Sequence, residues 1–368
     1  MKTFLRNVKI RGIKNLCEPI ELLFCKKEIL KINERKNYNV KAIYGPNGSG
    51  KTAIVHAFRI LKELITESGY LHNKENNIYL SELMNKSCKH IEIEVDFFYF
   101  EGEDSNSQLY TYSVRLDKKK DGFEINYEKL SSKASQYSKD KVFFKSVRGE
   151  LKEYSLAKSI EPKFTNLLTK GSFVEILNTL LKNNEKYSQD LLCGLEESYE
   201  AIKPLIKLVQ NMKIILDVKD QHQNAFQTTN ERLEELMKFR EDNLDLFSKL
   251  ENVGYNSRIM NKTHLGVFLK ENIKKLEFIR IFKPEIVNID VIYKTIMTIE
   301  DEDIFSVNEF TNYGDYTIDL ELESVGIKKL ITLYNSISFL VNGGILIIYE
   351  LDSHFNDIYL VKIMNFVF

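Results

Sequence analysis

The N-terminal part of the chain alternates short apolar runs with polar residues and then changes to a helical pattern. The runs at residues 4–5, 8–10 and 20–24 predict strands. A further run at residues 40–44 predicts a strand that leads into a glycine-rich segment. Apolar residues then recur at helical spacing over residues 53–66, so we expect a helix to begin where the glycines end.

The middle of the chain changes from a strand-like to a helical pattern. Residues 91–100 and 109–116 alternate, and the run at 142–144 continues this pattern, which predicts a strand-rich first part. Between about residues 160 and 280 the apolar spacing is helical, and it is clearest over residues 231–250, where one apolar stripe forms. This pattern predicts a helical hairpin or lobe, because a stripe of about three heptads is too short for a long coiled coil.

The last part of the chain, after Pro284, mixes both patterns. It contains predicted strands at 286–293, 316–322 and 345–348, the last of them buried, and predicted helices at 327–341 and 358–368. Together the three parts predict an α/β protein with a mixed sheet and an inserted helical lobe. We predict an N-terminal lobe at 1–155, the helical lobe at 156–280 and a C-terminal lobe at 281–368.

Composition and charge exclude several classes of protein. The 368 residues are 43% apolar, and 53 acidic residues nearly balance 52 basic ones, so no global charge attracts nucleic acid or an anionic membrane. No N-terminal signal sequence and no apolar run of about 18 residues is present, so we expect a cytoplasmic protein without a membrane partner. The four cysteines are widely spread without a C-x-x-C pair, which argues against a disulfide framework and a zinc site.

The glycine-rich segment has the pattern G-x-x-x-x-G-K-[ST] between a predicted strand and a predicted helix. Such a loop turns backbone N–H groups toward phosphates, and the following helix N-terminus adds its dipole. Lys51 would bridge the terminal phosphates of ATP, and the Thr52 hydroxyl would bind Mg²⁺. The alternative is a plain glycine turn. The predicted ATP-binding residues are Gly45, Pro46, Asn47, Gly48, Ser49, Gly50, Lys51 and Thr52.

The spelling GPNGSGKT resembles the loop of ABC-type ATPase heads, including the SMC, RecF and OLD proteins. Residues 322–330, LESVGIKKL, resemble the signature motif of the OLD-like members. In that family the signature contacts the γ-phosphate held by the other subunit, so the resemblance implies a homodimer around ATP with Ser324 and Gly326 acting in trans. Taken alone, Ser324 would be a helix cap.

Residues 343–353, GGILIIYELDS, are similar to the family's Walker B segment. The resemblance implies that Glu350 is the general base, acting as a catalytic residue together with Lys51, and that Asp352 is the D-loop aspartate at the dimer interface. Tyr349 stands where the family has the aspartate that organises Mg²⁺. A phenol is neutral near pH 7 and is a poor ligand for a hard cation, so we expect weakened Mg²⁺ binding and uncertain turnover.

The predicted helical lobe is far too short for the arm of an SMC protein, so the resemblance favours the RecF and OLD members of this group. The resemblance implies a conformational switch driven by ATP, in DNA repair or anti-phage defence, with a nuclease or toxin effector from a neighbouring gene; contact with DNA is left open. The sequence ends at Phe368, before the family's switch histidine, so we expect a partner to cover the apolar terminal helix or the chain to be a truncated copy. Two alternatives remain: a nucleotide-gated interaction module that does not hydrolyse ATP, and a fragment that needs a partner chain.

Overall fold

The computed structural model describes residues 2–25, 40–102, 107–133, 138–154, 168–182, 189–216, 258–299, 302–341, 343–351 and 357–367. The chain forms two compact units. The first contains Met1–Ile214 and Gly343–Tyr349, and the second contains Ile215–Asn342 and Glu350–Phe368. Contacts therefore divide the predicted helical segment 156–280 between the two units, and the three-part division remains a prediction.

The described strands and helices are numbered in chain order. The strands are β1 (Lys2–Arg11), β2 (Ile20–Leu23), β3 (His90–Phe100), β4 (Gln108–Lys119), β5 (Gly122–Lys133), β6 (Lys141–Val147), β7 (Glu150–Tyr154), β8 (Met212–Ile215), β9 (Arg258–Asn261), β10 (Asn288–Ile299), β11 (Glu302–Asn312), β12 (Thr317–Asp319) and β13 (Ile345–Ile348). The helices are α1 (Lys51–Thr66), α2 (Lys74–Leu83), α3 (Phe173–Lys182), α4 (Gln189–Gln210), α5 (Lys262–Arg280), α6 (Val325–Val341) and α7 (Asp357–Val367).

A seven-stranded antiparallel sheet dominates the first unit, with strand order β2-β1-β3-β4-β5-β6-β7. Apolar and polar residues alternate along its strands because one face of the sheet is buried. In β3, for example, the core contains Ile91, Ile93, Val95 and Phe97. The strands predicted at 4–5, 8–10, 20–24, 91–100, 109–116 and 142–144 are confirmed. The predicted α/β class, with strands and helices mixed along the chain, is confirmed as well.

Helix α1 is the centre of the helical layer of this unit. Its apolar face, including Ala57, Phe58 and Leu61, joins the same core as the sheet. Buried residues of α3 and α4, such as Phe173 and Leu205, complete this core. Strand β13 pairs with β8, and its Ile345 and Ile347 pack against the core. The predicted strand at 345–348 is therefore confirmed, but its side chains are half-buried rather than buried.

The strand predicted at residues 40–44 is wrong. Residues 40–46 have no regular secondary structure and are exposed; the Tyr44 side chain is 90% exposed. An alternating pattern makes a strand only if a neighbouring strand completes its hydrogen bonds. No strand of the described part of the chain pairs with this segment, so the phosphate loop is entered from irregular backbone.

The second unit combines an antiparallel sheet of β9, β10, β11 and β12 with helices α5 and α6. Phe278 of α5 contacts Tyr334 of α6, with ring centroids 5.7 Å apart. The predicted strand 286–293 corresponds to β10, and helices 327–341 and 358–368 are confirmed as α6 and α7. The strand predicted at 316–322 is shorter, because β12 continues into a 3-10 turn at Leu320–Leu322. Strand β11 was not predicted.

Two sequence-based predictions lie outside the described residues: the helical stripe at 231–250 and the D-loop Asp352. In the part of the chain that the structure describes, no helix is both long and apolar enough to cross a membrane.

Candidate functional site

The phosphate loop has the backbone that its glycines permit. Gly48 has φ +79° and Gly50 has φ +100°, a region that other residues rarely adopt. A Cβ at Gly50 would also lie 2.7 Å from Leu16 Cδ2, which is too close for a real contact. No atom lies within 4 Å of a Cβ placed at Gly48, so this side of the loop is open. Glycine is therefore favoured at both positions of this turn into α1.

Lys51, the first residue of α1, folds back over the loop. Its Nζ donates to the carbonyl oxygens of Gly45 at 2.5 Å and Pro46 at 2.9 Å. The loop is closed further by the Ser49 amide, which donates to the Pro46 carbonyl at 3.2 Å. The ammonium group thus lies at the loop, held by two neutral acceptors that an anionic phosphate can replace with a stronger, charge-assisted bond.

Residues 12–17 form a turn, here called the supporting loop, that holds the phosphate loop from its other side. The Asn15 side-chain amide donates to the Gly48 carbonyl, and Leu16 lies against Gly50. Lys14 lies in the same loop. Burial lowers the pKa of Lys14, and its backbone has φ +49°. Sequence reasoning missed Asn15, because a single polar residue in a turn gives no periodic signal.

His56 lies on α1, one turn beyond the phosphate loop. Its Nδ1 lies 2.7 Å from the Tyr79 hydroxyl, and the two rings meet edge to face. Burial lowers the pKa of His56 to about 4, and the positive charges of Lys14 and Arg59 add to this effect. At neutral pH, His56 is therefore an uncharged imidazole that packs against Tyr79 of helix α2.

This half-buried histidine predicts a loss of stability in mild acid. The pKa of His56 is about 4 in the folded chain and 6.5 ordinarily, so the unfolded chain binds the proton more tightly. The contribution of His56 to the free energy of unfolding is therefore fully present above about pH 6.5, and it is lost as the pH falls toward 4. We expect wild type to lose about 1.5 kcal/mol more than His56→Gln between pH 7 and pH 5, a difference of about 2 to 4 °C in melting temperature.

Thermal denaturation at the two pH values measures this difference. His72→Gln, which changes an exposed histidine, is the matched control and should respond to pH as wild type does. Equal pH responses of wild type and His56→Gln would contradict the assignment.

The signature segment is organised by a buried carboxylate that precedes it. Ser324 caps helix α6, because its Oγ accepts from the Ile327 amide at 3.4 Å, and Gly326 lies in the first turn. Glu323 is buried and accepts from the Ser324 amide at 3.2 Å and from the Tyr313 hydroxyl at 2.9 Å. The Thr311 hydroxyl also donates to it. Burial and the bond to Glu323 raise the pKa of Tyr313 to about 12.

Removing this carboxylate should destabilise the second unit. Glu323→Ala leaves the buried Thr311 hydroxyl, the half-buried Tyr313 hydroxyl and the Ser324 amide without this acceptor, which should cost about 2 kcal/mol of unfolding free energy. We expect a melting temperature several degrees below that of Glu321→Ala, a control at a nearby exposed glutamate. Calorimetry of the two variants measures the difference, and equal stabilities would show that Glu323 does not hold the signature segment.

The segment that resembles Walker B, residues 343–353, contains strand β13. Tyr349 is half-buried directly after the strand, and Glu350 is exposed. Glu350 has φ +54°, a strained value for a residue with a side chain. Its carbonyl accepts from the ammonium of the buried Lys329 at 3.2 Å. This lysine, in the second half of the signature segment, is a further contact that the sequence did not indicate.

The predicted site residues divide between the two units. The phosphate loop, the half-buried Thr52 and Tyr349 belong to the first unit. The second unit contains Ser324, Gly326 and Glu350. The hydrogen bond from Lys329 connects the Glu350 backbone to helix α6.

Comparison with solved structures finds similarity to Smc head domains. One, from Pyrococcus furiosus, has an extended coiled coil and is bound to the C-terminal domain of ScpA; it is 17% identical, with a TM-score of 0.39, and the match covers 99% of this chain and 86% of that one. A second is an Smc head bound to the C-winged-helix domain of ScpA, with 13% identity, a TM-score of 0.40 and coverages of 99% and 85%. A third, from Pyrococcus yayanosii, has a coiled coil and joint, with 11% identity, a TM-score of 0.40 and coverages of 99% and 89%. No protein-family model matches the chain, and no curated protein matches it.

Proposed function

We propose that this chain binds ATP on the phosphate loop and hydrolyses it slowly. The observation that carries the proposal is the loop itself, with its two left-handed glycines, an open side at Gly48 and the Lys51 ammonium folded over it. Backbone N–H groups at the start of a helix and a lysine are the groups that bind a nucleotide's phosphates. Lys51 exchanges its two carbonyl partners for phosphate oxygens.

The residues at this loop fit a magnesium nucleotide in part. Thr52 is half-buried in the first turn of α1 and supplies the hydroxyl ligand. Mg²⁺ neutralises charge on the terminal phosphates. Tyr349 after β13 supplies a phenol where a carboxylate would hold the ion, so we propose weak magnesium binding and slow turnover. Glu350 orients the attacking water as general base, and its backbone is fixed by Lys329.

We further propose that ATP joins two copies of the chain. Ser324 and Gly326 lie at the N-terminus of the 17-residue helix α6, where backbone N–H groups and the helix dipole favour an anion. Glu323 fixes this segment by accepting from the Ser324 amide. In the proposed dimer this N-terminus binds the γ-phosphate held by the partner's phosphate loop, and Asp352 lies at the interface.

Mixing two defective variants tests the dimer. Lys51→Ala weakens ATP binding about 100-fold. Ser324→Arg blocks the signature segment and leaves the phosphate loop unchanged. Light scattering with ATP and Mg²⁺ should show that neither variant dimerises alone and that an equal mixture forms a heterodimer with one intact site. Ser87→Arg, at an exposed serine, is the control and should dimerise as wild type does. A monomeric mixture, with dimeric wild type, would contradict action in trans.

The second candidate is a nucleotide-gated interaction module that binds ATP and dimerises without turnover. Tyr349 favours this candidate, because a phenol is a poor replacement for a carboxylate ligand.

The resemblance to the RecF and OLD members of the ABC-type heads supports two finer proposals: a role in DNA repair or anti-phage defence, and a nuclease or toxin effector. Co-purification with the product of a neighbouring gene tests the effector, and failure of tagged full-length chain to retain it in the presence of ATP would contradict this proposal.

A further inference from the structure

Cys17 and Cys88 are 71 residues apart in the sequence, but their sulfur atoms lie 3.0 Å apart. The Cys88 sulfur also lies 3.6 Å from the Cys17 carbonyl oxygen. Both thiols are half-buried, so small oxidants reach them. A disulfide has an S–S length of about 2.05 Å, so the bond needs an approach of only about 1 Å.

The backbone already holds the two cysteine segments in register. The Lys14 amide donates to the Leu83 carbonyl at 2.5 Å, and the Asn85 amide donates to the Gly12 carbonyl at 2.9 Å. The Cys88 amide in turn donates to the Asn85 carbonyl at 3.1 Å. Because these contacts form without the disulfide, the folded chain needs little reorganisation to close it.

We infer that Cys17 and Cys88 are an oxidation site, which hydrogen peroxide converts into an intramolecular disulfide. The Cys17 thiol loses its proton, and the thiolate attacks one peroxide oxygen; the O–O bond breaks, and the departing hydroxide takes up that proton, which gives a sulfenic acid and one water. The Cys88 thiol then loses its proton, and its thiolate attacks the Cys17 sulfur; the S–O bond breaks, the S–S bond forms, and the departing hydroxide takes up the proton and leaves as a second water. Two thiols and one peroxide thus give one disulfide and two waters, with two electrons passing from sulfur to oxygen.

The charges around the pair are of both signs. Arg11 donates to the Cys17 carbonyl at 3.1 Å, and its charge stabilises the Cys88 thiolate, whereas the charge of Glu18 opposes it. The pKa of Cys88 is raised, first by its hydrogen bond with Cys17 and then by burial. The Cys88 thiol donates to the Cys17 sulfur, which suits Cys17 as the first nucleophile. The second step should accelerate as the pH rises.

The disulfide would fix the support of the phosphate loop. Cys17 ends the supporting loop, which contacts Gly48 through Asn15 and Gly50 through Leu16. Closing the bond anchors this loop covalently to the segment after α2. The inference does not depend on ATP binding, because the bond and its effect on the loop are measured without nucleotide.

Peptide mass spectrometry of the full chain after hydrogen peroxide treatment tests the inference. Wild type should lose two thiols and give a linked Cys17–Cys88 peptide that dithiothreitol removes. Oxidation should raise the melting temperature by about 5 °C, from the closure of a loop of 71 residues. Amide hydrogen exchange of residues 12–17 and 45–50 should slow in the oxidised form.

Cys25→Ser, at a buried cysteine whose sulfur lies 3.6 Å from the Leu5 carbonyl, is the control and should keep all three responses. Cys17→Ser and Cys88→Ser should each lose them. Wild type that keeps both thiols, a linkage to another cysteine, or unchanged exchange in the oxidised protein would overturn the inference. The comparison of reduced with oxidised wild-type protein does not depend on the folding of any variant.

Discussion

Lys51→Ala is expected to lower the affinity for ATP about 100-fold, equivalent to about 2.8 kcal/mol. The lysine is the charged group of the phosphate loop, and its ammonium already lies over the loop in contact with Gly45 and Pro46. A hydrogen bond to a charged group contributes about 1.5 to 3 kcal/mol, and the substitution removes such a bond to the terminal phosphates. Equilibrium titration with a fluorescent ATP analogue measures the change.

The matched control is Lys119→Ala, which removes the same charge at an exposed position of strand β4. It should bind ATP as wild type does, because a single exposed charge contributes little at physiological salt. Equal affinities of Lys51→Ala and Lys119→Ala, in folded proteins, would place the nucleotide somewhere other than the phosphate loop.

Tyr349→Asp is expected to raise the single-turnover rate of ATP hydrolysis at least about tenfold when Mg²⁺ is present. The new carboxylate supplies the hard oxygen ligand that the phenol does not. Adding Glu350→Gln to this variant should then lower the rate by about 100-fold, because the general base is lost. Single-turnover assays with labelled ATP measure both steps.

Tyr293→Asp, at an exposed tyrosine of strand β10, controls for the added negative charge and should keep the wild-type rate. If Tyr349→Asp gains nothing and Glu350→Gln loses nothing, the hydrolase proposal fails and the nucleotide-gated module remains. If Tyr349→Asp gains rate while ATP affinity is unchanged, slow turnover in wild type is explained by its weak metal site.

Sequence patterns predicted the parts of the fold where one periodicity determines burial. Strand β3 alternates because its Ile91, Ile93 and Val95 cover the core, and α1 shows a helical stripe for the same reason. Strand β11 was missed because the buried residues of its inner face include Glu309 and Thr311. Glu309 is satisfied by the Lys275 ammonium 2.6 Å away, a long-range pairing that alternation cannot show.

Within the candidate site, the sequence indicates the phosphate loop because its chemistry fixes adjacent residues, and Gly48 and Gly50 take left-handed backbone angles there. Contacts between distant segments were not predictable. The Asn15 bond to Gly48, the Glu323 cluster and the Cys17–Cys88 pair each join residues whose proximity depends on tertiary folding. The strand predicted at 40–44 failed for the same reason, because a strand requires a neighbour that the local sequence does not specify.

A crystal structure with a non-hydrolysable ATP analogue and Mg²⁺ tests the central claim most directly. We expect the β- and γ-phosphate oxygens about 3 Å from the backbone N–H groups of residues 47–52 and from Lys51 Nζ, which leaves the Gly45 and Pro46 carbonyls. A nucleotide bound elsewhere, with Lys51 still on those two carbonyls, would contradict the account.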